Sequence, residues 1–408
     1  MDRVDLVYTD AGGGHRSSAE ALRTVLGECR PWNVRLVNLH EELRALDWVY
    51  NLTGSRLEDW YNFALQQSWT WGGSLVLSLL HRAIRRAHEE QVNLLTEFWR
   101  SNQPDLVISL VPHFNRAIGE SLRRALPGVP LAVLLTDIAD TPPHFWIEPQ
   151  EQYVICGSDR AVDQARAAGI HSDYIYRTSG MIVHPRFYEP LNLDRGAERK
   201  RVGLDPEVPT GLVMFGGQGS KEMLQIAREL NDSRLNVQLI LLCGHNLGLA
   251  SKLRDAHLRL SHLVVGYTTQ VPLYMYLADF LIGKPGPGSI SEALMMNLPV
   301  IVERSARTMP QERYNAVWVL EKEVGLVVPS FRNIDRAVED LLSPARFSRL
   351  QANAAAIKNR AVFEIADILS DILEKARHSL QASRLSHGTR DNLQGPGLVG
   401  IQTFHFSQ

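Results

Sequence analysis

Cysteine is scarce in this 408-residue chain: Cys29, Cys156 and Cys243 are the only three, odd in number and far apart. They form no CxxC pair and no zinc spacing, so neither a disulfide framework nor a structural zinc is expected, and a reducing compartment fits. Long apolar runs are missing as well. None reaches the roughly 18 residues that suggest a membrane-spanning helix, and Leu75–Leu80, the most apolar stretch of the first half, ends in His81-Arg82. A strand-like run begins at Val4, which leaves no room for a signal peptide. A cytoplasmic protein is the expectation. Charge of one sign is not in excess either: the formal net charge is −2, so no general basic field points to nucleic acid.

What the chain does contain is a soluble composition, 45% hydrophobic and 22% charged, over a length that suits two domains rather than one core. Short apolar runs alternate with helix-forming stretches. Val4–Tyr8, Val34–Asn38, Asp105–Leu110, Leu131–Leu135 and Tyr153–Cys156 form a first series; Gly211–Phe215, Gln238–Cys243, Leu263–Tyr267, Phe280–Ile282 and Pro299–Val302 form a second. This alternation predicts an α/β fold of two doubly wound Rossmann-like domains facing a cleft. The expected divisions are residues 1–183, an irregular charged linker over 184–208, a second domain over 209–376 with closing helices, and a disordered tail over 377–408.

Glycine marks the loops. Gly12-Gly13-Gly14-His15-Arg16 follows the first strand, Gly216-Gly217-Gln218-Gly219-Ser220 opens the second series, and Lys284-Pro285-Gly286-Pro287-Gly288-Ser289 follows a later strand. A strand running through such a loop into a helix leaves free N–H groups at a positive dipole end, a ready anion site. Ser17–Glu20 and Ser289–Glu292 also read as capping boxes, so Glu292 can be a cap. Neither the loop at Gly12 nor that at Gly216 spells a dinucleotide fingerprint, and there is no Walker lysine pattern. His15, His113, Asp137, Asp140 and His144 follow first-series strands, which places titratable groups along one rim of a sheet. Aromatics crowd Trp48–Trp71, and Leu75–Leu80 then runs into Arg82, Arg85 and Arg86; that pattern suits a membrane-interface surface, with an ordinary helical core as the rival reading.

The loops at Gly12–Ala21, Gly180–Phe187, Gly216–Ser220, Lys284–Ala293 and Gln311–Asn315, in this order, resemble those of the monogalactosyldiacylglycerol synthase and diacylglycerol glycosyltransferase family, relatives of the lipid-II-forming N-acetylglucosaminyltransferase. The resemblance spans roughly residues 4 to 340 and implies an inverting GT-B glycosyltransferase that moves galactose or glucose from a UDP-sugar to a lipid, most simply diacylglycerol, without a metal or other cofactor. It implies that Gly217, Gln218, Gly219, Lys284, Gly286, Gly288 and Ser289 lie against the diphosphate. Glu292 would take the ribose hydroxyls, Gln311, Glu312 and Asn315 the sugar hydroxyls, and Tyr267 would adjoin the uracil. His15 or Asp137 would be the general base. Gly13, Gly14, Arg16, Trp69 and Trp71 would serve the acceptor, with the protein held peripherally on an anionic inner membrane face. N-acetylglucosaminyl transfer to a polyprenyl-linked acceptor and a UDP-sugar 2-epimerase on the same fold are the alternatives. The basic stretch Ser305–Met309 and the placement of His113 depart from the expected pattern and leave donor and acceptor open.

Overall fold

The computed structural model describes residues 1–10, 13–43, 86–306 and 308–391; the aromatic segment over 44–85, with Trp69 and Trp71, and residues 392–408 lie outside them. Two six-stranded, wholly parallel sheets carry the fold. The first holds β1 (Arg3–Tyr8), β2 (Asn33–Asn38), β3 (Leu106–Ser109), β4 (Leu131–Leu134), β5 (Tyr153–Cys156) and β6 (Ile175–Arg177), in the order β2-β1-β3-β4-β5-β6. The second holds β7 (Thr210–Met214), β8 (Gln238–Leu242), β9 (His262–Val265), β10 (Phe280–Gly283), β11 (Val300–Glu303) and β12 (Gly325–Val328), in the order β12-β11-β10-β7-β8-β9.

Central strands such as Leu106–Ser109 and Leu131–Leu134 are buried along their whole length, because helices cover both faces of each sheet. That is why they read as unbroken apolar runs. Strand order reverses between β1 and β3 in the first sheet and between β7 and β10 in the second. Loops diverge there at the carboxyl ends, and open α/β sheets bind ligands in such crevices. The glycine loops after β1, β7 and β10 stand at these points.

Three features differ from expectation. The edge strands β6 and β12 are additional; β6 is short and partly exposed, so it lacks the apolar run that announces a buried strand. The linker is not irregular throughout. Its helix Arg195–Arg201 docks on the second domain, where Arg195 and Arg199 pair with Asp279 at 2.7 and 2.8 Å. The closing helix also leaves the second domain. Ala361–Asp391 packs Ala361, Val362, Ile365, Leu369 and Ile372 against Val4, Leu22 and Leu106 of the first, and it runs on past 376 because no proline interrupts it.

Candidate active site

A cavity of about 460 Å³ opens between the β7 and β10 loops, lined by Gly216–Ser220, Lys284, Pro285, Thr308, Met309 and Glu312 among others. Gly219 has φ +59, and a Cβ there would lie 2.8 Å from the Cys243 carbonyl, so glycine is what lets this loop pack on the end of β8. Gly217 and Gly288 are the opposite case: exposed, with open space where a Cβ would stand. Their backbone is accessible to an anion at close range. The helix Pro287–Met295 starts on a proline and has no side-chain cap, so the amides of Gly288 and Ser289 lack intrahelical acceptors. The β10 loop therefore pairs free amides with a cation, since Lys284 Nζ lies 2.8 Å from Glu312 Oε1 on the cavity wall.

Behind this loop Asn315 is fully buried and its amide donates to the Pro285 carbonyl (2.8 Å), which holds the turn in shape. Gln311 Oε1 and Asn315 Oδ1 are buried acceptors without a partner among the described residues. Such orphans are costly unless something supplies a donor, and a hydroxyl-bearing ligand is one source. Glu292 is half-buried, and burial pushes its carboxyl up to about 7 despite the opposing charge of Arg186. Arg186, from the segment between the sheets, also donates to the Thr269 carbonyl at 3.0 Å.

The first domain contributes a buried acid and a half-buried histidine. His15 is the second residue of the helix Gly14–Cys29, and its Nδ1 lies 3.0 Å from Thr136 Oγ1. Burial, reinforced by the nearby His40, lowers its pKa to about 4, so the ring is neutral at physiological pH. Asp137, next to Thr136, is buried and accepts a hydrogen bond from the Trp146 indole at 2.9 Å. Burial pushes Asp137 up to about 7; the Trp146 bond opposes this, and the charges of Glu312 and Lys284 also reach it. Those two charges belong to the cavity wall of the second domain, so Asp137 lies within electrostatic reach of that wall. The Trp146 ring stands 5.7 Å from His15.

Residues 15–183 match the family model of monogalactosyldiacylglycerol (MGDG) synthase, and residues 212–372 match that of the glycosyltransferase family 28 C-terminal domain. The chain is a glycosyltransferase. It is 27% identical over 403 residues to monogalactosyldiacylglycerol synthase 1 of Arabidopsis thaliana, covering 93% of this chain and 73% of the relative. It is also 27% identical over 392 residues to the Spinacia oleracea synthase, covering 91% and 73%. Among solved structures, Acinetobacter baumannii MurG aligns with TM-score 0.59 at 11% identity, covering 91% of this chain and all (100%) of that one. The UDP-GlcNAc 2-epimerase of Neisseria meningitidis, bound to UDP-GlcNAc, aligns with TM-score 0.57 at 13% identity, again covering 91% and 100%. These distant structures share the GT-B fold.

Within this glycosyltransferase the expected site residues separate into groups. Gly217, Gln218, Gly219, Lys284 and Glu312 meet at the cavity, with Gly286, Gly288 and Ser289 on the adjoining turn. Tyr267 stands apart from it, exposed and stacked on His245 at 4.1 Å. Asn315 holds the Pro285 turn rather than reaching into the cavity. Arg16 is exposed and engaged by Glu20 (2.9 Å) and Asp10 (3.4 Å). Gly13 and Gly14 are exposed with open space around them, while Trp69 and Trp71 lie outside the described residues.

Both expected capping boxes are corrected. The first helix begins at Gly14, after Gly13 in the left-handed region (φ 78), and the later one begins at Pro287 after Gly286; neither has a side-chain cap. A glycine can make the entry turn by itself, which frees Glu20 for Arg16 and leaves Glu292 inside its helix. Sequence reasoning missed Thr136, Trp146 and Arg186. The signal was available for Arg186, which sits in the Gly180–Phe187 motif, but a tryptophan nine residues past Asp137 carries no local pattern.

Proposed function

We propose that this glycosyltransferase moves a hexose, galactose or glucose, from a UDP-sugar to diacylglycerol, with inversion at the anomeric carbon and without a catalytic metal. The carrying observation is that the half matching MGDG synthase, residues 15–183, contains both titratable candidates, His15 and Asp137, opposite the anion-suited cavity. In the reaction the acceptor hydroxyl loses its proton to a base of the first domain, and its oxygen forms a bond to the anomeric carbon. The bond from that carbon to the diphosphate breaks, and the electron pair leaves on UDP. Lys284 and the free amides at Gly288 and Ser289 are suited to stabilise that developing charge. Glu292 would take the ribose, and the unpartnered buried Gln311 oxygen supports a hydroxyl-bearing neighbour. Work at a cytoplasmic membrane face, with the segment over 44–85 delivering the lipid, belongs to the same proposal.

The test incubates the pure protein with UDP-galactose or UDP-glucose, diacylglycerol vesicles and EDTA. Released UDP and a glycosyldiacylglycerol are expected with one donor and unaffected by the chelator. Absence of both products with either donor rules the proposal out, and competition with UDP-N-acetylglucosamine reports the donor preference.

A further inference from the structure

The turn that carries Asp137 is held more tightly than the His15 side of the site. Asp140 is buried, and its two carboxylate oxygens are both engaged: Oδ1 accepts the Trp146 amide N–H at 2.7 Å and Oδ2 accepts the His144 amide N–H at 3.0 Å. Gln164, on the helix Asp159–Ala167, reads the Asp140 backbone in both directions, accepting its N–H (2.9 Å) and donating to its carbonyl (2.7 Å). The Trp146 carbonyl accepts from Asn115 at 2.8 Å. Trp146 is thus fixed at its amide, at its carbonyl and by complete burial, and it has one polar group left. That indole N–H is spent on Asp137 Oδ2. Asp137 Oδ1 takes no hydrogen bond from the described residues, so it is the oxygen left for a proton from the cleft.

We propose that Asp137 removes the proton of the acceptor hydroxyl, and that Asp140 is a positioning residue that aims Asp137 by fixing Trp146. The inference rests on the glycosyl-transfer reading above. The O–H proton goes to Asp137 Oδ1, the acceptor oxygen bonds the anomeric carbon, and UDP departs with the electron pair of the broken bond. His15, held neutral and tied to Thr136, orients the acceptor beside the Trp146 ring. The charged and titratable groups facing Asp137 are Lys284 and Glu312 across the cleft and Asp140 on its own turn, with His15 and, behind it, His40 on the neighbouring elements. A base that titrates near the working pH is the better matched of the two candidates, and burial places Asp137 there while it drives His15 far below.

The experiment has an arm that needs no lipid. Protein carrying 15N-labelled tryptophan is titrated by NMR with UDP present, and the Trp146 indole resonance is identified by its loss in Trp146→Phe. The resonance should shift with pH in the wild type, stay flat in Asp137→Asn, and change midpoint in Asp140→Asn. In the kinetic arm, UDP release with UDP-galactose and diacylglycerol vesicles should fall by about 10²–10⁴ in Asp137→Asn with UDP affinity retained, and by less in His15→Ala. Deleting the Asp140 charge alone would move the acid limb of the rate down in pH. Losing the Trp146 bond, the larger effect, moves it up, so Asp140→Asn should regain activity at high pH. Gln164→Met, which changes no charge, should shift the limb the same way and serves if Asp140→Asn does not fold. A kcat within tenfold of wild type in Asp137→Asn, or an equal loss at every pH in the Asp140 and Gln164 variants, overturns the proposal. If the wild type is inactive on diacylglycerol while the indole titrates, the acceptor reading fails and the Asp140–Trp146–Asp137 linkage stands; an indole that does not titrate overturns the linkage itself.

Discussion

Asp137 and Glu292 are both carboxyls that burial pushes up to about 7, one on each side of the cleft. For Asp137 the folded state keeps a proton that the unfolded chain releases near 3.8, so its contribution to stability declines as pH rises from about 4 through 7. Asp137→Asn removes that burden. Its melting temperature relative to wild type is expected to be higher at about pH 8 than at about pH 5, and an identical difference at both would contradict the buried, proton-holding carboxyl. Glu292 is argued to meet ribose hydroxyls as an acceptor, which requires the ionised form. Calorimetric titration with UDP should therefore show affinity rising between about pH 6 and 8 in the wild type, with a flat profile in Glu292→Gln. Neither shift was legible in the sequence. The sequence offered Glu292 as a helix cap and, through the resemblance, as a ribose ligand; the helix start at Pro287 removes the cap, and the raised pKa comes from burial that no local pattern encodes.

Glycine loops at strand ends could be located from the sequence, yet their glycines do two different things. Gly219 is required by the backbone, with φ +59 and the Cys243 carbonyl 2.8 Å from where a Cβ would go. Gly217 is surrounded by open space on the cavity rim. Gly219→Ala is expected to cost about 1–3 kcal/mol in denaturant unfolding. Gly217→Ala should unfold like the wild type but bind UDP more weakly, because its methyl group enters the cavity. Equal behaviour of the two variants would refute this division. The same elements show why strand assignment succeeded where it did. β3, β4 and β10 are buried on both faces and spell continuous apolar runs, whereas β6 at a sheet edge is partly exposed and passes for loop.

Two sheets become one working unit through the chain's return. The helix Ala361–Asp391 leaves the second domain and lays Ile365, Leu369 and Ile372 on the first, while Tyr176 bonds Asp371 at 2.5 Å. Leu369→Ala should cost about 2–5 kcal/mol in global stability, and truncation after Ala376 should leave both fold and UDP release near wild type, since Leu373 is the last buried residue of this helix among the described side chains. Loss of activity on that truncation would mean that the last turns matter beyond packing. The sequence by itself determined the α/β class, the two-domain count, the glycine loops at strand ends and the family resemblance, because hydrophobic period and turn chemistry are local properties of the chain. Only the tertiary structure decided that the last helix belongs to the first domain, that Asn315 holds a turn, and that Asp140 bonds the Trp146 backbone while the Trp146 indole bonds Asp137. Those assignments depend on burial and on contacts between residues distant in sequence or turned toward one another by a folded loop, which no local pattern encodes.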